Sequence, residues 1–539
     1  MASEFVPLAE RIVDALLAAN PALAGFAGDH RFDDRLPDLS TDAVARDVAM
    51  LHDASVALSQ VDSDELSPQD RVDHGVLLAL VERMLFEHTE IREHEWNPLE
   101  HNPGPLLYAL IARPYAPVAQ RLESLAARLA AIPDALSTAR TVLTDCPRIH
   151  VETAVGQFAG TAALIRHQIP ELLTEAPALA APVTAAADQA LAALDEFGRW
   201  LGDRLAGGEP GRDPRLGRRL WEARLWHALD TELTAADLFA RAWATFEDGS
   251  ARLREAAAEL VGGTPDDATV RRALDRLAQD HPDNATIVDL AKLTLTEATD
   301  FVVAHDLVST VDDPCVVLEM PEFARGVAVA YCDPPGPLET ANVPTFYCIA
   351  PTPGDWSAER VTSFYREYNS YLVRDLTVHE AMPGHFLQLA HSRRFRGSTR
   401  ARALGFSGPF VEGWAVYAEQ AMVERGFGGL PVRLQQLKMQ LRMTLNAIID
   451  QAVHCDGMTE ADAMDLMTRR GFQEEGEAAG KWRRALLTSA QLSTYFVGYT
   501  EVAAIAAARP TGTAVRDWHD AMLAHGSPPP RHVRTLLGI

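Results

Sequence analysis

The chain has 539 residues, and at roughly 150 residues per domain it could hold three or four domains or one large helical body with a continuous core. Hydrophobic residues make up 47% and charged residues 23%, a globular balance that excludes a disordered chain. Lys and Arg number 49 against 75 Asp and Glu, and the net charge of −26 argues against nucleic acid or an anionic membrane surface as partner.

The five cysteines, Cys146, Cys315, Cys332, Cys348 and Cys455, form neither a disulfide framework nor a CxxC zinc pair, which points to a reduced interior. The N-terminus lacks a basic region followed by an apolar run. No stretch approaches the roughly 18 apolar residues of a membrane span, and the best candidate, Tyr495 to Ala508, contains Glu501. The expectation is a soluble cytoplasmic protein.

In chain order, helices come first. From Pro114 to Phe197 the chain is rich in Ala and Leu with polar residues at helical spacing, and Pro133, Pro147 and Pro182 are expected to divide it into separate helices. Gly207 to Pro214 is the most linker-like stretch. Residues 1–210 then form an N-terminal helical region, and 211–539 a helical catalytic region, the two making one continuous structural unit. Thr264-Pro265-Asp266-Asp267 and Thr459-Glu460-Ala461-Asp462 each resemble a capped helix start, with the threonine at the cap.

Between Cys315 and Pro351 the helical period disappears. Val316–Met320, Val327–Cys332 and Thr345–Ile349 are short β-type runs separated by Pro and Gly, which predicts a small antiparallel sheet in a mainly α protein. Helices are expected again over about 355–394, 410–426, 430–455, 459–470 and 476–509.

The strongest chemical signal is His379-Glu380-Ala381-Met382-Pro383-Gly384-His385. In many zinc hydrolases two histidines one helical turn apart hold the metal, and the Glu after the first activates water. Here the second histidine comes six residues on, which on an ideal helix would point it about 120° away. Pro383 cannot donate to the His379 carbonyl, and Gly384 lets the backbone depart from α geometry, so the break can carry His385 back. The plainer alternative is a helix that ends at Pro-Gly with two surface histidines.

Glu412-Gly413-Trp414-Ala415-Val416-Tyr417-Ala418-Glu419 supplies a third ligand type, Glu412, on a following helix. Glu419, seven residues on, shares its face to about 20° and could orient a ligand histidine. Arg442, Asn446, Asp450 and His454 form a polar row at steps of four beside the apolar Leu434, Leu437, Leu441, Leu445 and Ile448. Asp450 could orient His454, which could then stabilise an oxyanion; the alternative is an ordinary solvated helix face. Tyr495 could also donate to an oxyanion, although a core role is commoner for such a tyrosine.

At these residues the chain resembles, over its full length, the domain-of-unknown-function family 885, a set of helical, zinc-metallopeptidase-like proteins. The resemblance is carried by Asn20-Pro21-Ala22, Gly28 to Asp38, Asp70-Arg71-Val72-Asp73, Asn97-Pro98, Met320-Pro321-Glu322, the run to Ala350-Pro351, His379 to His385 with Gln388, and Glu412-Gly413-Trp414-Ala415. It implies a zinc-peptidase-like helical fold around a cleft, with His379, His385 and Glu412 as Zn2+ ligands and Glu380 as base. It also gives functional weight to Arg442, Asp450, His454, Gln491 and Tyr495. One departure stands out: Ser489-Ala490 replaces the family's Pro-Gly before Gln491.

The expected function is a zinc hydrolase, most simply a peptidase of short peptides. Phe346, Tyr347 and Ile349 would offer a strand edge to extended substrate. Hydrolysis of a small amide or ester, or an inert helical binding protein, are the competing expectations. The sequence sets no oligomeric state.

Overall fold

The computed structural model describes residues 4–208, 211–320, 329–354 and 356–539. Helix accounts for 70% and strand for 3%, so the protein is mainly α with one three-stranded sheet among its described residues. Residues 209–210 of the linker-like stretch, Pro321 and Glu322, Val327 and Ala328 of the second expected strand, and Asp355 lie outside the described residues.

The chain divides into two units. The first holds residues up to Pro214 and two later segments, 335–343 and 397–405. Its opening helix, Phe5–Ala19, buries Phe5, Ala9, Ile12, Val13, Leu16 and Leu17, one face at helical spacing. Asn20 caps the next helix, Pro21–Ala27, its side chain accepting from the Leu23 N–H at 3.0 Å. The sequence landmarks that follow anchor the two returning segments. His30 Nδ1 is 2.9 Å from Asp33 and its Nε2 2.8 Å from Glu339, while Arg402 Nε donates to Asp73 at 2.6 Å and Thr399 Oγ1 donates to Asp73 at 2.7 Å.

Two helix boundaries differ from expectation. Pro133 does not end a helix but lies inside Val118–Val142. Leu129, Ile132 and Leu136 are buried around Pro133, and at about 1.5–3 kcal/mol each their burial outweighs the roughly 3 kcal/mol cost of an interior proline. Pro147 does cap a helix, and Pro182 sits in the first turn of Ala180–Ala206, where no N–H is needed. The helix at 264–267 starts later than expected: Asp266, not Thr264, is the cap, accepting from Thr269 N at 2.8 Å. Thr459 caps its helix as expected.

The second unit contains the sheet and the candidate site. Strands β1 (Cys315–Glu319), β2 (Ala330–Asp333) and β3 (Thr345–Ile349) lie in the order β1-β3-β2. The sheet is mixed rather than antiparallel: β3 runs parallel to β1 and antiparallel to β2. A long connection from 320 to 344 lets β3 insert between the other two, as parallel pairing requires. The long helix Gly429–Asp456 is buried along most of its length, with Leu434, Leu437, Leu441, Leu445 and Ile448 all in the core. The helices Gly408–Glu424 and Thr494–Ala507 touch backbone to backbone. A Cβ on Gly413 would stand 2.3 Å from the Gly498 carbonyl carbon.

Candidate metal centre

The helix Ser370–Glu380 starts at Asn369, whose Oδ1 accepts from the N–H groups of Tyr371 and Leu372. It carries His379 and Glu380 on its last turn. The Met382–Pro383 peptide is cis, and a new helix begins at His385 and runs to Ser392. The break is held by the Gly384 N–H donating to the Val378 carbonyl at 2.9 Å and by Trp414 Nε1 donating to the Pro383 carbonyl at 2.8 Å. Only glycine fits at 384, because a Cβ there would meet the His379 carbonyl oxygen at 1.9 Å and that of Val378 at 2.3 Å.

The break returns His385 to the face of His379. Their ring centroids are 4.7 Å apart and the rings nearly perpendicular, at 84°. Glu412 Oε2, from the helix Gly408–Glu424, is 3.4 Å from His379 Nε2 and 3.5 Å from His385 Nε2. Tetrahedral zinc with bonds of about 2.0–2.1 Å places its ligand atoms about 3.3 Å apart, close to these separations. Glu412 Oε2 is buried without a hydrogen-bond partner among the described residues, aimed at two imidazole nitrogens. The donor set and its spacing therefore fit a zinc ion.

The residues around the triad set its electrostatics. His379 Nδ1 is 2.6 Å from Glu419 Oε1. With the proton on Nδ1, the Nε2 lone pair faces Glu412 and His385. Burial pulls the His379 pKa down, but Glu412 and Glu419 override it and hold it well above the ordinary histidine value. Burial likewise opposes charge on Glu412, yet His385 and His379 keep its carboxyl well below the usual range. One contributor escaped the sequence reading: Asp375, one turn before His379, is buried, and burial plus the neighbouring Glu419 charge push its carboxyl well up. Its place four residues before His379, the first histidine of the motif, was the available signal.

Glu380 is buried beside this cluster, its charge felt at His379, Tyr347 and Cys348. Tyr495 lies within the fields of Glu412 and His379. Its hydroxyl accepts from Arg484 Nη2 at 3.2 Å, which leaves its own proton to donate. Gln491 Oε1 accepts from Arg484 Nε at 3.1 Å, so Gln491 and Tyr495 share one guanidinium. Ala490 occupies the left-handed region at φ +59°, the conformation the family's glycine would adopt freely.

Other expectations are corrected. The polar row on Gly429–Asp456 is not a solvated face, since Asn446, Asp450 and His454 are buried. His454 is committed to backbone: Nε2 faces the carbonyls of Ala485 and Thr488, each at 2.9 Å, and Nδ1 accepts from the Leu216 N–H at 3.2 Å. It has no free proton for an oxyanion, and Asp450 Oδ1 stands 4.0 Å from it. Asp450 instead accepts from Trp221 Nε1, the N–H groups of Ala490 and Ser493, and Ser493 Oγ. Arg442 pairs with Glu477 and donates to the Tyr368 hydroxyl. Phe346, Tyr347 and Ile349 lie on the central strand β3, whose two edges are already paired, so they present no edge to a peptide. Tyr347 is buried, 3.0 Å from Thr377 Oγ1. Among the described strands β2 pairs with β3 alone, and it lies against the helix Ser370–Glu380.

Fold and site together define a mainly helical protein with a partly buried two-histidine, one-glutamate cluster built across a helix break. The chain belongs to the family described as "Bacterial protein of unknown function (DUF885)", which matches residues 21–537. Among solved structures it is similar to a "putative lipoprotein of unknown function" from Shewanella oneidensis, with 27% identity, a TM-score of 0.83 and full coverage of both chains. A second, from Colwellia psychrerythraea and described likewise as a "putative lipoprotein", shares the fold with 16% identity, a TM-score of 0.82 and coverage of 99% and 98%. No curated protein matches the chain.

Proposed function

We propose that the protein is a zinc-dependent hydrolase of short peptides. The observation that carries this reading is the convergence of one ligand atom each from His379, His385 and Glu412 within 4.8 Å of one another, with the acid Glu380 next to His379. His379, His385 and Glu412 would hold the ion, which when bound supplies Lewis acidity for a carbonyl and lowers the pKa of water. Glu380 takes a proton from the attacking water and returns it to the leaving amine. The Tyr495 hydroxyl, oriented by Arg484, donates to the developing oxyanion. Glu419 holds His379 in the tautomer that offers Nε2.

The test is metal content by mass spectrometry on wild type and a His379→Ala variant, followed by a panel of peptides and small esters on wild type and Glu380→Gln. The expected result is about one zinc per chain, lost in His379→Ala. Peptide hydrolysis should fall by about 10²–10⁴-fold in a Glu380→Gln variant that keeps its metal. No metal after incubation with zinc, or full activity in Glu380→Gln, overturns the reading. Cleavage of esters alone would keep the metal centre and move the substrate class.

The cytoplasm remains the proposed compartment, on the strength of five cysteines that are in no disulfide. The lipoprotein descriptions of the two relatives point the other way. Cell fractionation decides between them.

A further inference from the structure

Resting on the hydrolase reading, we propose that Lys481 and Arg484 form an anion subsite beside the metal cluster that takes the free C-terminal carboxylate of a short peptide substrate.

The helix Glu475–Leu487 carries Glu477, Lys481 and Arg484 at steps of four and three, which places them on one face. They belong to a largely buried group of charges whose pairing is incomplete. Lys438 Nζ is 2.8 Å from Glu367, and Arg442 pairs with Glu477. These two pairs use both acids. Lys481, 6% exposed, makes no hydrogen bond or ion pair with any described residue. Arg484 donates only to neutral acceptors, Gln491 Oε1 at 3.1 Å and the Tyr495 hydroxyl at 3.2 Å.

Two neighbouring cations therefore lack an acid. Burial and the fields of Arg442 and Arg484 all push the Lys481 pKa well down, so the ammonium is costly as the protein stands. An unpaired buried cation is expensive, and helix positions of this kind are readily filled by apolar residues when only packing is needed. An anion arriving between Lys481 and Arg484 would supply the missing charge. It would turn an unfavourable arrangement into charge-assisted hydrogen bonds.

Position selects the anion. Arg484 holds Tyr495, and Tyr495 feels the charges of Glu412 and His379. A single side chain thus links the cations to the ligand cluster. An anion bound there would belong to the same small molecule whose bond is being broken, and the anion that an uncapped peptide carries at one end is its terminal carboxylate. The protein would then remove residues from a free C-terminus or split very short peptides, and it would reject peptides whose end is capped.

The experiment compares N-acetylated di- and tripeptides as free acids and as C-terminal amides, on wild type and Lys481→Met, with Lys481→Gln as a second variant should the first misfold. Hydrogen bonds to a charged group predict that free acids exceed amides in kcat/KM by about 10–100-fold in wild type, with Lys481→Met erasing the difference. Equal rates for acids and amides in wild type, or a preference that survives in both Lys481 variants, overturns the subsite while leaving the hydrolase standing. Absence of any turnover overturns the hydrolase reading instead. Calorimetric titration of the same acid and amide pairs into the purified protein then judges the subsite alone. Tighter binding of acids in wild type but not in Lys481→Met supports it, and equal or undetectable binding of the two forms overturns it.

Discussion

Nδ1 of His379 lies 2.6 Å from Oε1 of Glu419, while Glu412, two turns earlier on the same helix, faces the other nitrogen of that ring. One helix thus supplies both the candidate ligand and the group that orients its neighbour. Replacing Glu419 with Ala removes the acceptor for the Nδ1–H and lets the ring turn. Zinc affinity, measured by competition with a chelator, is expected to fall by about 10–100-fold. An unchanged affinity would mean that packing alone fixes the ring.

Gly384 is the narrowest point of the centre. A Gly384→Ala side chain would have to displace the backbone carbonyls of Val378 and His379, and with them the register of His385. Overpacking against backbone costs about 1–3 kcal/mol, and the variant should also lose stoichiometric zinc. Thermal unfolding and metal content measure the two effects. A variant that binds zinc normally would show that the break tolerates a wider path than the one seen.

Lys438 and Glu367 form a pair buried at both ends. Burial opposes the Glu367 charge, but Lys438 and Arg442 lower its pKa, and the Glu474 N–H adds a hydrogen bond. Removing one partner strands the other, so Lys438→Met is expected to destabilise by about 3–5 kcal/mol. Because the folded pKa of Glu367 is lowered, its contribution is present above the ordinary glutamate range and is lost as pH falls through the folded value. Denaturant titrations at neutral and acid pH test this: the gap between wild type and variant should narrow in acid.

His30 carries the opposite sign. Burial alone would lower its pKa, yet Asp33 and Glu339 raise it above 6.5. A raised histidine stabilises fully below its unfolded value and loses that contribution as pH climbs through the folded one. The first unit should therefore melt at lower temperature as pH rises beyond about 6.5, and His30→Gln should flatten the dependence. Identical pH profiles for the two proteins would remove His30 from the account.

Much of the centre was legible because its chemistry is local. His379, Glu380 and the Pro383-Gly384 break sit in seven consecutive residues, and Glu412 and Glu419 share one helical face. What was not legible depends on partners distant in sequence. His454 reads as a free imidazole until its backbone partners near 216, 485 and 488 are known. The order β1-β3-β2 cannot be derived from three apolar runs, and it decides that Phe346 to Ile349 have no open edge. The helix through Pro133 shows burial overriding a local breaker. Ala490 holds the left-handed turn with a side chain poorly suited to it, and the Asp450 carboxylate grips the N–H groups of Ala490 and Ser493 on either side of that loop.

The segments 335–343 and 397–405 have a consequence for heredity. A gene fragment ending at residue 214 would encode His30 without Glu339, and Asp73 without Arg402 and Thr399. The first unit is not a cassette that recombination can lift out at one junction and set before another partner. Lifting it out intact would take three pieces of the reading frame at once, and the family match spans both units, from residue 21 to 537.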